Sequence, residues 1–192
     1  MKFIKTVFPL CGLLVISATA SAKPDQFYKP YKSVNNVENI QPRQYLINNV
    51  NVVLTSKIDA PTFLSQDKIK ERYIEKLNEE LKKKNLLAND KTETPILINY
   101  DINQKRVFAG EDLKFISSKV VGKYAHSTFQ YDSTLNNGNS ELAKYSSDEK
   151  ISIGKNGSFG KIARDLTGSG KPENELEDID AFAKFMVDML PE

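Results

Sequence analysis

The sequence predicts an α+β domain, a mixed and mostly antiparallel four- to five-stranded sheet with two helices packed on one face, in the order β-α-β-β-β-α. Three patterns carry that expectation. Ile69, Tyr73, Leu77 and Leu81 recur at four-residue steps and mark one apolar helix face. Ile96, Ile98, Tyr100 and Ile102 alternate with Leu97, Asn99, Asp101 and Asn103, the period-two signature of a strand. Ile179, Phe182, Ala183, Met186 and Leu190 then draw a second helical stripe near the C-terminus.

The N-terminus stands apart from that domain. Lys2 and Lys5 precede an apolar stretch over residues 7–16, and Ala20, Ser21 and Ala22 supply small residues at a cleavage-type site. This three-part layout predicts a secretory signal peptide over residues 1–22. Its apolar run is short of the roughly 20 residues that span a bilayer. Cys11 lies inside the run, but Pro9 and Leu10 stand where a lipidation motif wants small residues, so plain cleavage after Ala22 is the expectation and an outer-membrane lipoprotein the lesser alternative. Cleavage removes two lysines and no acid, taking the formal charge from +2 to zero, and it removes the only cysteine. A cysteine-free chain suits an oxidising compartment, and the expected location is the bacterial periplasm.

Residues 23–44 read as an irregular leader, punctuated by Pro24, Pro30 and Pro42 and by Asn35 and Asn36. Phe27, Tyr28 and Tyr31 are read as docking the leader onto a single domain over residues 45–192, the other reading being an aromatic hook for a partner. The first strand, over 46–55, holds Val50, Val52, Val53 and Leu54, an apolar run that predicts cover on both faces, as in a central strand. Ser65 is the expected N-cap of the first helix, which ends in Lys82, Lys83 and Lys84, with Glu79–Lys83 and Glu80–Lys84 as i,i+4 pairs. The lysine run is read as a solvated helix end.

A second strand is predicted over 94–108, a turn at Gly110, Glu111 and Asp112, a third strand over 119–133, and a fourth over 140–147. Asn137 and Gly138 are the expected hairpin turn. The first two strands, joined through a helix, should pair in parallel. Residues 151–170 carry Gly154, Gly157, Gly160, Gly168 and Gly170 and read as a loop or short hairpin. The last helix is predicted over 174–190, with Glu175, Glu177 and Asp178 suiting the positive end of its dipole.

The candidate chemical motifs are incomplete. The segment from Gly168 to Lys171 lacks the phosphate-loop glycine, since Asp165 stands in its place, and Pro172 replaces the hydroxyl residue that holds magnesium. Glu173, Glu175, Glu177, Asp178 and Asp180 lack calcium-loop spacing. His126, the only histidine, falls on a strand with Tyr124 and Thr128 on its side, Asp101 and Asp132 being the acids considered to orient it; Ser117, Ser118 and Ser127 sit in no nucleophile elbow. A carboxylate pair for glycoside hydrolysis has no local spacing rule, and the absence of Trp leaves it without its usual sugar platform. No catalytic, cofactor-binding or metal-ligating set is therefore predicted. The near-even balance of 27 basic and 25 acidic residues argues against a nucleic-acid binder.

The layout of signal peptide, Val-rich strand, Lys/Glu-rich helix ending near Asn85, Leu86 and Leu87, strand meander through STFQYDSTLNNGNSEL (127–142), Gly-rich segment and C-terminal helix resembles small bacterial envelope domains. It is similar to the LPS-assembly lipoproteins, the TolB N-terminal region and CsgG-like domains over residues 46–190. That resemblance implies a non-enzymatic assembly or docking module with a protein partner in the envelope. Two alternatives are an immunity or inhibitor protein acting on a toxin and a small hydrolase built on His126.

Overall fold

The computed structural model describes residues 31–34, 44–108, 125–147 and 171–191. The signal segment with Cys11, Phe27 and Tyr28, the Gly110 turn and the Gly-rich segment lie outside them. Five strands and two helices follow in the order β1 (Tyr31–Val34), β2 (Tyr45–Ser56), α1 (Gln66–Lys83), β3 (Ile96–Phe108), β4 (Ala125–Asn137), β5 (Ser140–Ser146) and α2 (Pro172–Asp188). The strands form one sheet in the spatial order β1-β5-β4-β3-β2. β2 and β3 pair in parallel, and the other three pairings are antiparallel. The α+β class, the mixed sheet and the parallel βαβ pair all match the sequence expectation.

Helix α1 begins as its sequence dictates. The Ser65 side chain accepts a hydrogen bond from the Lys68 amide at 3.4 Å, satisfying one of the early donors that a helix start leaves open. Ile69, Tyr73, Leu77 and Leu81 are all fully buried. Asn85 takes φ 58° just past the helix, a left-handed stop that Asn tolerates better than branched residues. On α2 the buried stripe is the expected Ile179, Phe182, Ala183 and Met186. The Phe182 ring stacks on Phe129 at 4.7 Å and meets Tyr73 and Tyr131 edge-on, joining both helices to the same sheet face.

Four expectations need correction. First, residues 23–44 are not irregular throughout: Tyr31–Val34 forms an edge strand against β5, because β5 offers an unpaired backbone and the tertiary pairing outweighs the nearby prolines. Secondly, β2 is an edge strand covered on one face only. Val50 and Val52 are buried, whereas Asn49, Asn51 and Val53 are exposed. The contiguous Val52-Val53-Leu54 run had hidden this alternation. Thirdly, the β4–β5 turn is Gly138-Asn139, one residue later than expected, because Asn137 still pairs with Ser140. Gly138 alone takes a positive φ, 58°, as the first central position of a type II′ turn requires. Fourthly, β4 runs to Asn137 rather than Ser133, and the part of the predicted strand before residue 125 lies outside the described residues. The expected Glu79–Lys83 pair forms at 2.7 Å; Lys83 also bridges Glu80 at 2.8 Å, and Lys84 reaches across to Asp188 of α2 at 3.2 Å.

Candidate functional site

The parallel pair places the C-terminal ends of β2 and β3 side by side, the end at which open α/β sheets commonly receive ligands. A buried polar cluster sits there. By strand alternation Gln104 and Arg106 share the core-facing parity of Ile96, Ile98, Tyr100, Ile102 and Phe108. Arg106 is 4% exposed and would be untenable there alone. Glu175, in the first turn of α2 and also buried, supplies its partner. Arg106 Nε donates to Glu175 Oε1 and Nη2 to Glu175 Oε2, each at 2.8 Å. The same Nη2 donates to the Leu64 carbonyl at 2.8 Å, which ties the loop before α1 to the pair.

Gln104 completes the network. Its Nε2 donates to Glu175 Oε1 at 3.1 Å and to Ser127 Oγ at 3.1 Å, and its Oε1 accepts from the Tyr73 hydroxyl at 3.3 Å. Four elements, α1, β3, β4 and α2, thus meet in one hydrogen-bonded unit. Burial raises the Glu175 carboxyl above its ordinary value, with the Arg106 charge and hydrogen bonds opposing that rise. Burial, with the Glu175 and Asp178 charges, holds the Tyr73 hydroxyl well above its ordinary range.

A cavity of about 440 Å³ opens beside this cluster, lined by Leu54, Ser56, Ile58, Asp59, Ala60, Pro61, Phe63, Leu64, Ser65 and Arg106. The loop from β2 to α1 forms its wall. Phe63 lies over the guanidinium at 5.0 Å and packs edge-on against Phe108 at 5.3 Å. Among the described residues the hydrogen bonds of Arg106 run through Nε and Nη2.

The edge of β2 leads to the same place. Its first residue is closed off: the Tyr45 amide donates to Leu86 O at 2.7 Å, and the Ala88 amide donates to Tyr45 O at 2.9 Å. Near its end the Leu54 amide donates to Gln66 Oε1 at 2.9 Å. Val50 and Val52 point their backbone groups to the same side as Leu54 by alternation, and among the described residues no strand lies there. On the sheet face away from the helices lie Asn49, Asn51, Asn99, Asp101, Asn103, Lys105, Thr128, Gln130, Asp132 and Thr134, cross-linked by Asn51 to Asp101 at 3.1 Å and Asn99 to Thr134 at 3.4 Å.

His126 sits on that polar face opposite Val107. Asp132 and its cross-strand partner Asp101 are six residues along the strands, about 20 Å away at the strand rise, too far to orient the imidazole. Glu175 and Asp178, read from sequence as dipole partners, are buried, and Glu175 is the counter-ion of Arg106. Among the described residues no group of three or more His, Cys, Asp or Glu side chains comes together to hold a metal, and no helix is long and apolar enough to cross a membrane. The chain matches no protein family, no curated protein and no solved structure.

Proposed function

We propose that the protein is an exported, non-enzymatic binding module of the bacterial cell envelope that takes an extended segment of a partner protein along the edge of β2. The observation that supports this most directly is the edge itself. Among the described residues β2 is a 12-residue strand paired with a strand on one side, with its other side capped at Tyr45 and Leu54. An open edge of this kind presents donors and acceptors in the pattern an added strand satisfies. Val53, 46% exposed, and Leu46, 43% exposed, give such a strand apolar neighbours within a mostly polar row. The signal-peptide pattern and the resemblance to envelope domains support the periplasmic setting.

Lysine at exposed edge positions discourages strand pairing without touching the core. The test is therefore partner recovery from periplasmic extract after mild crosslinking, with the parent protein and with an Asn51→Lys/Val53→Lys variant shown to be folded by circular dichroism. The reading expects one stoichiometric partner that the folded variant loses. Undiminished recovery by that variant would exclude the β2 edge as the binding site.

A further inference from the structure

The core holds a second polar site, apart from the Arg106 network. Tyr100 of β3 and Tyr145 of β5 both stand opposite Ser133 of β4, one on each side, and Tyr131 precedes Ser133 by two residues on the same strand. By alternation these four side chains share the sheet face under the helices, where Tyr131 meets Phe182 of α2 edge-on, and all four residues are at most 2% exposed. Three phenol side chains thus surround a position that carries only a hydroxymethyl group. Neighbouring strands lie roughly 4.8 Å apart, so Tyr100 and Tyr145 are two strand spacings from each other. A residue as small as serine between them leaves room above its own side chain.

The Tyr100 hydroxyl is the unexplained group there. It is buried and meets no hydrogen-bond partner among the described residues. Tyr45 gives the contrast, because its hydroxyl donates to the Pro191 carbonyl at 2.6 Å. Leaving a buried hydroxyl unsatisfied costs its full desolvation, and native interiors rarely do so. Burial, followed by the neighbouring Tyr131, Tyr45 and Tyr145 phenols, holds the Tyr100 hydroxyl above its ordinary 10.0, so it remains a neutral donor and acceptor.

We propose that one internal water molecule is bound over Ser133 as a fixed part of the core, hydrogen-bonded to the Tyr100 hydroxyl and to the hydroxyls around it. Tyr131, Tyr145 and Ser133 qualify as its further partners whatever else they meet, because each hydroxyl donates one hydrogen bond and can accept two. Internal waters typically make about three such bonds to buried polar groups that protein atoms leave open. The chemistry of the site selects water over other occupants. The four side chains carry hydroxyls and no charge, so a buried ion would lack a counter-charge. An apolar occupant would leave Tyr100 unsatisfied.

The test combines a high-resolution crystal structure of the parent protein with magnetic relaxation dispersion of solvent water, and repeats both on Tyr100→Phe. The expected result is a water peak about 2.8 Å from Tyr100 Oη and a long-lived internal water in solution, both lost in Tyr100→Phe. Removing one anchor of that water should also raise the unfolding equilibrium constant about fivefold, the effect of one lost hydrogen bond. A parent structure with no water at Oη, or with a protein group bonded there, overturns the site whether or not the variant folds. A water that persists unchanged in a folded Tyr100→Phe protein overturns Tyr100 as its ligand. So does a Tyr100→Phe protein more stable than the parent, since deleting a hydroxyl that had no partner produces that result.

Discussion

Arg106 and Glu175 show how one residue pair can hold together elements distant in sequence. Both side chains are 4% exposed, and each makes the other's burial tolerable. Arg106→Met should lower stability by about 3–5 kcal/mol, the usual result of leaving one buried charge without its partner. The loss should depend on pH. Without Arg106, the attraction opposing the desolvation of Glu175 disappears and its carboxyl rises further. A carboxyl raised in the folded state binds more protons there than in the unfolded chain, so stability falls as pH rises above its ordinary value near 4.5. The deficit of Arg106→Met should therefore be smaller at pH 4 than at pH 7. Arg106→Met/Glu175→Met should recover most of the loss and be far less sensitive over that window, because an ion pair exchanged for apolar residues of similar volume is often neutral. Urea denaturation at the two pH values measures both effects. The signal for this pair was present in the sequence: Gln104 and Arg106 continue the parity of the buried β3 positions, and Glu175 and Asp178 fall on the helical stripe that leads into Ile179 and Phe182. Polar residues at core positions imply a partner, but which one depends on how the chain packs, and the acids already had an adequate explanation in the helix dipole.

At the scale of the element, legibility follows from how strongly one period dominates. Helix α1 and strand β3 have long, regular apolar series, and their buried residues match those series. In β2 three apolar residues in succession conceal an alternation of two, and in β1 four residues are too few to show a period. The turn at Gly138 moved by one residue because either neighbour of the glycine is an asparagine, and strand register decides between them. The helix ends hold a further testable contact. Lys84 at the end of α1 and Lys184 within α2 both reach Asp188, at 3.2 and 2.5 Å. Burial pushes the Asp188 carboxyl up, but these two hydrogen bonds outweigh it and hold the group below its ordinary 3.8. Such a contribution is present above that value and is lost as pH falls through the lowered one. Lys84→Met should cost about 0.5 kcal/mol at pH 7, in keeping with a partly exposed pair, and the difference from the parent should shrink as pH drops below 3.8. Thermal unfolding across that acid range measures it.

At the scale of the whole molecule, the described residues form a two-layer structure with unequal surfaces. One sheet face lies under α1 and α2 with almost all of the aromatic core, and the other presents asparagine, threonine, glutamine and aspartate side chains. The two sheet edges differ as well: β1 contributes four residues at one side, β2 twelve at the other. Binding through β2 would extend the sheet while leaving the helical layer in place. For that reason Asn51→Lys/Val53→Lys should abolish partner recovery while leaving the unfolding midpoint within about 0.5 kcal/mol of the parent, as surface substitutions away from packed features do.

The tyrosines have a spectroscopic consequence. Five of the eight, Tyr45, Tyr73, Tyr100, Tyr131 and Tyr145, lie in the core, and the chain has no tryptophan. Burial lifts the Tyr100 hydroxyl above its ordinary 10.0, and Tyr73 is raised likewise. Groups that ionise more readily in the unfolded chain make alkali a denaturant: above pH 10 the folded state retains protons the unfolded state releases, so stability declines as pH rises. Tyrosinate absorbance from these five phenols after a jump to high pH should therefore appear slowly, at the rate of global unfolding measured by circular dichroism. The chain carries its own optical clock for the opening of its core.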